Sequence, residues 1–241
     1  MFRHQGKART VKHNIQIAVV LSFVAGIVNI TGFLAITELT TNVTGHFALF
    51  IFDVDKYQVW EGTIYLIYIL AFLLGSFTSG FLIENFKANK KLNVYVIPTA
   101  LEITIIIGIT LFYHYTGLKY PPVIASALLF AMGLQNSFVT KISDAVVRTT
   151  HLTGLFTDLG IELSYLFFKK EHPDVAHLKA NIQLRIYIIS FFFFGGLVAG
   201  FFYTELGLEF YTLILAAIVL VASLLFDEFR FQYVNAKNRN S

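Results

Sequence analysis

Hydrophobic residues run along this chain in long blocks separated by short polar stretches. A bilayer core takes roughly 20 apolar residues per helix. Six blocks reach that length, at about 15–36, 62–86, 93–113, 121–140, 186–204 and 206–226. Two shorter apolar pieces remain, at 47–54 and 152–168. The first is too short to span a bilayer and the second is borderline. The pattern predicts an all-α polytopic membrane protein with six transmembrane helices.

Each short piece begins in a polar element that occurs twice. Residues 40–47 and 149–156 both read T-T-x-x-T-G-x-F. Each copy follows an apolar helix with Gly and Asn three residues apart, Gly26 and Asn29 in one and Gly133 and Asn136 in the other. A second echo pairs Gly75, Gly80 and Phe81 with Gly195, Gly200 and Phe201. Small residues at such spacing let helix backbones approach closely. The echoes divide the chain into an N-terminal segment at 1–14, three-helix repeats at 15–119 and 120–226, and a polar tail at 227–241 that is expected to fray. Three crossings is an odd number, so the second copy would be inserted upside down relative to the first. Inverted repeats with broken helices are the architecture of many secondary transporters.

Composition agrees with a membrane protein. The chain is 56% apolar and 14% charged, and 26 of its residues are Phe; soluble domains carry about a quarter charged residues. It has no Cys, which removes disulfides, thiol chemistry and Cys-ligated metal sites. The net charge of +3 is no sign of nucleic-acid binding, because its distribution has another cause. With the N-terminus inside, every one of the 18 Lys and Arg residues except Lys56 and Lys119 falls on the cytoplasmic side. Both termini are then cytoplasmic. A full crossing by 152–168 would put the basic stretch from Lys169 to Arg185 outside, so that piece is read as re-entrant or interfacial. The first apolar run is too long for a signal peptide and is read as a retained span.

A polar, Gly-containing break beside a span leaves backbone groups unpaired, which lipid does not tolerate; such backbone is buried in protein or lines a wet cavity. Thr44 and Thr153 are expected as N-caps of short helices. Their N-termini would present free amides and a partial positive charge to a common centre, which suits an anion or a carboxylate. The alternative is that these Thr residues only cap and pack. Asn29 and Asn136 are expected either to hydrogen-bond across helices or to bind solute beside the breaks. Glu102 lies near the middle of the third block, where a carboxylate costs roughly 2.5–3.5 kcal/mol and is a functional candidate. It is expected to carry a proton or to pair with a polar neighbour. Arg148, His151, Asp158 and Glu162 cluster around the second break. Asp158 and Glu162 share a helix face, Asp158 is expected in the first turn, and Arg148 is expected to pair with one of them. A solvated rim is the alternative. No His has a partner at metal-ligand spacing, and no catalytic or phosphate-binding motif is present. Neither a metal, a cofactor nor enzymatic activity is expected.

Residues 25–33 (A-G-I-V-N-I-T-G-F) followed by Thr44, Gly45 and His46 resemble the N-terminal signature of the YoaK-like family of bacterial multi-pass membrane proteins. Residues 133–136 (G-L-Q-N), followed by 147–154 (V-R-T-T-H-L-T-G) and 157–160 (T-D-L-G), resemble its C-terminal signature. The resemblance covers nearly the whole chain and implies a bacterial inner-membrane protein of about six helices. The family is catalogued as a domain of unknown function, so it supplies no substrate. Its members commonly carry Asp where this chain has Asn29, and Asn where it has His46. If that Asp carries protons in relatives, this chain lacks the coupling or performs it elsewhere. The resemblance also marks Arg148, Thr149, Thr150, Thr153 and Gly154 as more than packing residues.

The expected function is a small secondary transporter or carrier for a small anionic or zwitterionic solute. Its midplane site would be lined by Asn29, Thr41, Thr44, Gly45, Asn136, Arg148, Thr150, Thr153 and Gly154, with Glu102 or Asp158 handling coupling charge. A non-transporting protein, lipid-binding or an assembly factor, whose polar breaks are structural, is the other reading. The expected partners are the lipid bilayer and an unidentified solute, with a homodimer common in this architecture.

Overall fold

A computed structural model describes residues 10–86, 95–143, 145–168 and 174–239. Arg3, Lys7, Arg9, the basic loop of Lys87, Lys90 and Lys91, the start of the third block at Asn93, and Lys169 and Lys170 lie outside the described residues. Among the described residues the chain is helical throughout. The helices are α1 (Val11–Ile36), α2 (Val43–Asp55), α3 (Val59–Phe86), α4 (Val96–Thr116), α5 (Pro121–Ile142), α6 (Leu152–Tyr165), α7 (Val175–Thr204) and α8 (Leu213–Arg239). A 3₁₀ turn at Glu209–Thr212 leads into α8.

Six of these, α1, α3, α4, α5, α7 and α8, are long and apolar enough to cross a membrane. They match the six apolar blocks. The 13 residues of α2 and the 14 of α6 reach only about 20 Å at 1.5 Å per residue, short of a bilayer core of about 30 Å. Two boundaries differ from expectation. Helix α7 begins at Val175, well before 186, because Leu178 and Ile182, then Leu184 and Ile188, recur four residues apart and are buried. The Asp174 side chain caps it, accepting from the His177 amide at 3.0 Å. Helix α8 runs on to Arg239, so the tail expected to fray continues the helix; Asp227 in it is still buried.

Helix ends identify the two faces of the molecule. Asn14 at the start of α1 lines one pocket with His177, Asn181 and Arg185 at the start of α7, so these helices run the same way. At that same face Lys141 Nζ meets Glu84 Oε1 at 2.5 Å, joining the last turns of α5 and α3. At the opposite face Tyr113 donates to Glu209 Oε2 at 2.7 Å, and His114 Nδ1 lies 2.7 Å from the Tyr211 hydroxyl. Helices α3 and α5 therefore run parallel to each other and opposite to α1 and α7. Lys56 and Lys119 sit at this second face, with the exposed rings of Tyr57, Trp60 and Tyr115 beside them, as in an interfacial aromatic belt.

Packing rests on one contact made four times. It is made by the F-x-x-G segments Phe23–Gly26, Phe72–Gly75, Phe130–Gly133 and Phe192–Gly195; the same spelling at Phe77–Gly80 and Phe193–Gly196 meets no Phe carbonyl. A methyl group added at Gly26 would overlap the carbonyl oxygen of Phe192, and one at Gly195 the carbonyl oxygen of Phe23. Gly75 meets the Phe130 carbonyl and Gly133 the Phe72 carbonyl in the same reciprocal way. Helix α1 is thus pressed backbone to backbone on α7, and α3 on α5. The Ser76 hydroxyl adds a bond to the Gly133 carbonyl at 3.1 Å. Gly80 and Gly200, expected to share this role, do not: Gly80 has only Ser137 Oγ at 3.9 Å and Gly200 has open space within 4 Å. At both positions a side chain would fit. Helices α1 and α5 are the most enclosed, with 67% and 61% of their apolar windows buried against 22–33% elsewhere.

Gly26→Ala and Gly133→Ala should each lower the unfolding midpoint in detergent by an amount equivalent to about 1–3 kcal/mol, the usual cost of overpacking. Gly200→Ala should leave it unchanged or slightly raised, since Ala is favoured over Gly in a helix interior by about 0.5–1 kcal/mol. Equal effects at all three positions would contradict the crossing geometry.

Candidate functional site

The two T-T-x-x-T-G elements fold alike. Helix α1 ends where Thr37 turns left-handed (φ 59°), its amide bonded to the Phe33 carbonyl at 2.9 Å. After α5, Ala145 adopts φ 64° and the Ser143 hydroxyl accepts from the Val147 amide at 3.0 Å. In both places the chain then folds back along the helix it has just left. Thr41 Oγ1 donates to Asn29 Oδ1 at 2.9 Å, and Thr150 Oγ1 donates to Asn136 Oδ1 at 2.8 Å. The preceding Thr pair also matches: Thr40 donates to the Val28 carbonyl and Thr149 to Gln135 Oε1, each at 3.3 Å. Each Asn therefore holds its break against its own helix, the cross-segment bonding expected of an intramembrane amide.

Short helices start at equivalent residues, Val43 and Leu152, but their caps are not the expected Thr44 and Thr153. The cap positions are Asn42, whose Oδ1 accepts from the Gly45 amide at 3.0 Å, and His151, whose side chain makes no capping bond. An Asn carbonyl reaches the third helical amide from the cap position, which leaves Thr44 and Thr153 inside the first turn. Both are exposed and, among the described residues, neither hydroxyl has a protein partner.

A cavity of about 880 Å³ lies between the two starts. Asn29, Thr41, Thr44 and Gly45 line it from one half of the chain, and Asn136, Arg148, Thr150 and Thr153 from the other. Phe72 and Phe192 close it from α3 and α7, and Leu39, Asn42, Thr140 and His151 add to the wall. Sequence reasoning missed five of these; His151 it had placed in the charged cluster at the second break. Gly154 is not in this wall; it lines an adjoining pocket of about 440 Å³ with Asp158. Arg148 and His151 border both spaces.

The charges arrange themselves differently from expectation. Arg148 does not pair with Asp158 or Glu162. Arg185 of α7 takes both: its Nε and Nη2 bind Glu162 at 2.7 and 2.9 Å, and its Nη1 lies 3.0 Å from Asp158 Oδ2. The early start of α7 sets Arg185 against α6, and this bidentate geometry is the stronger arrangement. Arg148 is left exposed, with no carboxylate partner among the described residues. Asp158 sits in the second turn of α6 rather than the first, because the helix begins at Leu152.

Glu102 does not reach the cavity. It is fully buried between α4 and α5, its Oε1 accepting from Gln135 Nε2 at 3.1 Å. Its Oε2 has no hydrogen-bond partner. Through Gln135 it connects to Thr149, the neighbour of two cavity residues. The paired polar neighbour was expected, but Gln135 itself was not singled out.

Beside the first short helix lies a second polar cluster. His46 is 2% exposed, with Nε2 at 3.0 Å from the Leu39 carbonyl and Nδ1 at 3.7 Å from Glu38 Oε2. Burial raises Glu38 above its ordinary 4.5. Burial lowers His46 below its ordinary 6.5, against a smaller upward pull from the Leu39 carbonyl. A carboxyl raised on folding gives its full stability below pH 4.5 and loses it as pH rises through the folded value. Glu38→Gln should therefore match the wild type in thermal unfolding at pH 4.5 and exceed it at pH 7.5. A constant difference between the two pH values would mean that Glu38 is not perturbed by folding.

A family model described as "Protein of unknown function (DUF1275)" matches residues 17–226, in agreement with the YoaK-like signatures. No curated protein and no solved structure matches the chain. The match spans most of the sequence, and the chain belongs to the DUF1275 family.

Proposed function

We propose that the protein is a small secondary carrier for an anionic or zwitterionic solute, held in the cavity between the two T-T-x-x-T-G elements. The observation that carries this is the cavity wall: equivalent Asn and Thr side chains from both halves of the chain converge on one space in an otherwise apolar body. In this reading 15–119 and 120–226 are inverted repeats. The opposite directions of α1 and α5, and the matching of α1 on α7 with α5 on α3, support it. Helices α2 and α6 are re-entrant. They are too short to cross, they start at the cavity, and their outer residues Phe47, Ile51, Phe52, Phe156 and Ile161 are exposed and suited to lipid. Unpaired backbone at such depth is tolerated where it borders a water-filled space.

The hydroxyls of Thr44 and Thr153 and the exposed guanidinium of Arg148, which have no protein partner among the described residues, and the N-terminus of α6, which no side chain caps, favour a negatively charged group. The basic face is cytoplasmic by the positive-inside rule, in the bacterial inner membrane. Solute would reach the cavity from that side through the smaller pocket, past Arg148 and His151. Glu102 is linked to the cavity wall only through Gln135 and Thr149. Asp158, held by Arg185, would respond to traffic through the pocket. The reading assigns no catalytic step.

One feature favours the lipid-binding alternative. A groove of about 550 Å³ is lined by Ile30, Phe156, Phe193 and Leu197 among others, an apolar wall of the kind an acyl chain would bind. Thermal unfolding of detergent-purified protein against a panel of anions, amino acids, nucleosides and vitamins separates the two. A ligand that binds only the folded state stabilises it by about 2.7 kcal/mol at a hundred times its dissociation constant. Thr44→Val and Thr153→Val should keep the unliganded stability within about 0.5 kcal/mol, as exposed positions do. They should weaken the best ligand about tenfold or more, which is about 1.4 kcal/mol. A panel with no stabilising member, together with tightly co-purifying phospholipid, would replace the carrier with the lipid-binding reading.

A further inference from the structure

His46 sets the first short helix apart from the second. Its equivalent in the second copy is Leu155. The ring is enclosed by α3: it stacks on Tyr65 at 6.0 Å between centroids and meets Tyr68 edge-on at 5.2 Å. The Leu39 carbonyl can only accept, so Nε2, 3.0 Å away, carries the hydrogen. In the neutral ring Nδ1 is then a lone pair. It is buried and has no hydrogen-bond partner, and it faces Glu38 Oε2 at 3.7 Å. An ionised carboxylate is also only an acceptor. Two acceptors facing across that distance repel, and one added proton converts the contact into a charge-assisted or carboxyl–imidazole hydrogen bond.

We propose that Glu38 and His46 form a one-proton site behind the wall of the cavity, and that this proton is the coupling ion of the carrier; the second half rests on the carrier reading. Leu39, Asn42 and Gly45 lie beside the pair in sequence and line the cavity. The ring clips Leu39 to α2, so the pair and the cavity wall share backbone. Proton uptake changes the charge of the pair from −1 to 0. The charge behind this wall then no longer repels an anion. By reciprocity, an anion in the cavity tightens the proton. The remaining titratable groups around the ring are Tyr65 and Tyr68 of α3, with Asp53 of α2 in electrostatic reach of Tyr65. Among the described residues no Lys or Arg pairs with Glu38, so the proton is its only positive counter-charge. The opposed shifts of Glu38 upward and His46 downward bring the two groups toward a common value, which suits a shared proton.

The site is tested first without solute. Ring-¹⁵N-histidine NMR of the full chain in detergent, assigned by the resonance lost in His46→Gln, should show the Nε2–H tautomer at pH 8. It should also show one titration step between pH 8 and 4 whose midpoint moves in Glu38→Gln. An Nδ1 resonance that does not move between pH 8 and 4, or one whose midpoint ignores Glu38→Gln, overturns the one-proton site. Coupling is tested with acetate, glycine, succinate and inorganic phosphate as probes. Affinity for a bound probe should fall as pH rises through the step, by at most about tenfold per pH unit for one linked proton. It should lose that dependence in both His46→Gln and Glu38→Gln. A probe whose affinity keeps its pH dependence in both variants overturns the coupling and leaves the carrier standing. If no probe and no member of the wider panel binds, the carrier reading falls and the coupling with it, while the NMR result still decides the proton site.

Discussion

Backbone carbonyls of four phenylalanines, each lying where a glycine has no side chain, hold this fold in register. Within a bilayer, apolar side chains gain nothing by leaving lipid for protein, so helices associate through close packing and polar contacts. Removing Cβ at the crossing lets one backbone reach another, and Cα–H···O contacts worth about 0.5–1 kcal/mol each become available. The contact is reciprocal in α1–α7 and again in α3–α5. Since a helix fixed at one crossing has little freedom elsewhere, the positions of the other elements follow from these two pairs.

The site is a consequence of those crossings. Asn29 and Asn136 each lie three residues beyond a crossing glycine, so they sit almost one turn above it on neighbouring faces. Phe72 and Phe192 offer their carbonyls to the glycines and their rings to the cavity. The cavity opens where the paired backbones diverge, and the two Asn–Thr bonds anchor the breaks at its wall. Polar chemistry and packing are therefore parts of one arrangement. A change in crossing angle would displace both Asn–Thr pairs together.

Much of this was legible in the chain. Crossing a bilayer demands only length and hydropathy, so the six blocks showed directly. The doubled T-T-x-x-T-G pointed to Asn29, Thr41, Thr44, Gly45, Asn136, Arg148, Thr150 and Thr153, and all eight line one cavity. Other features depended on geometry that no local pattern encodes. Gly75 and Gly80 look alike in sequence, and only helix phase decides which one meets a partner. Arg185 was placed in a loop because the first turns of α7 are polar, yet their buried Leu178 and Ile182 carry a helical period that could have been read. Thr44 lost the cap to Asn42 because the chain enters the helix two residues earlier than the glycine suggested. The pairing of Glu38 with His46 depends on how the loop between them turns, which neither residue announces.

The reciprocal crossings also constrain how the protein can be made. The helix that receives α1 is α7, and the one that receives α3 is α5, so each half of the chain finds its closest partner in the other. When a ribosome has delivered α1 to α4, neither F-x-x-G face of that half has met its match. Those exposed glycine faces must wait in the membrane until the second half arrives. The two halves are thus interlocked rather than docked, and a chain cut between α4 and α5 leaves two fragments that are each other's only template.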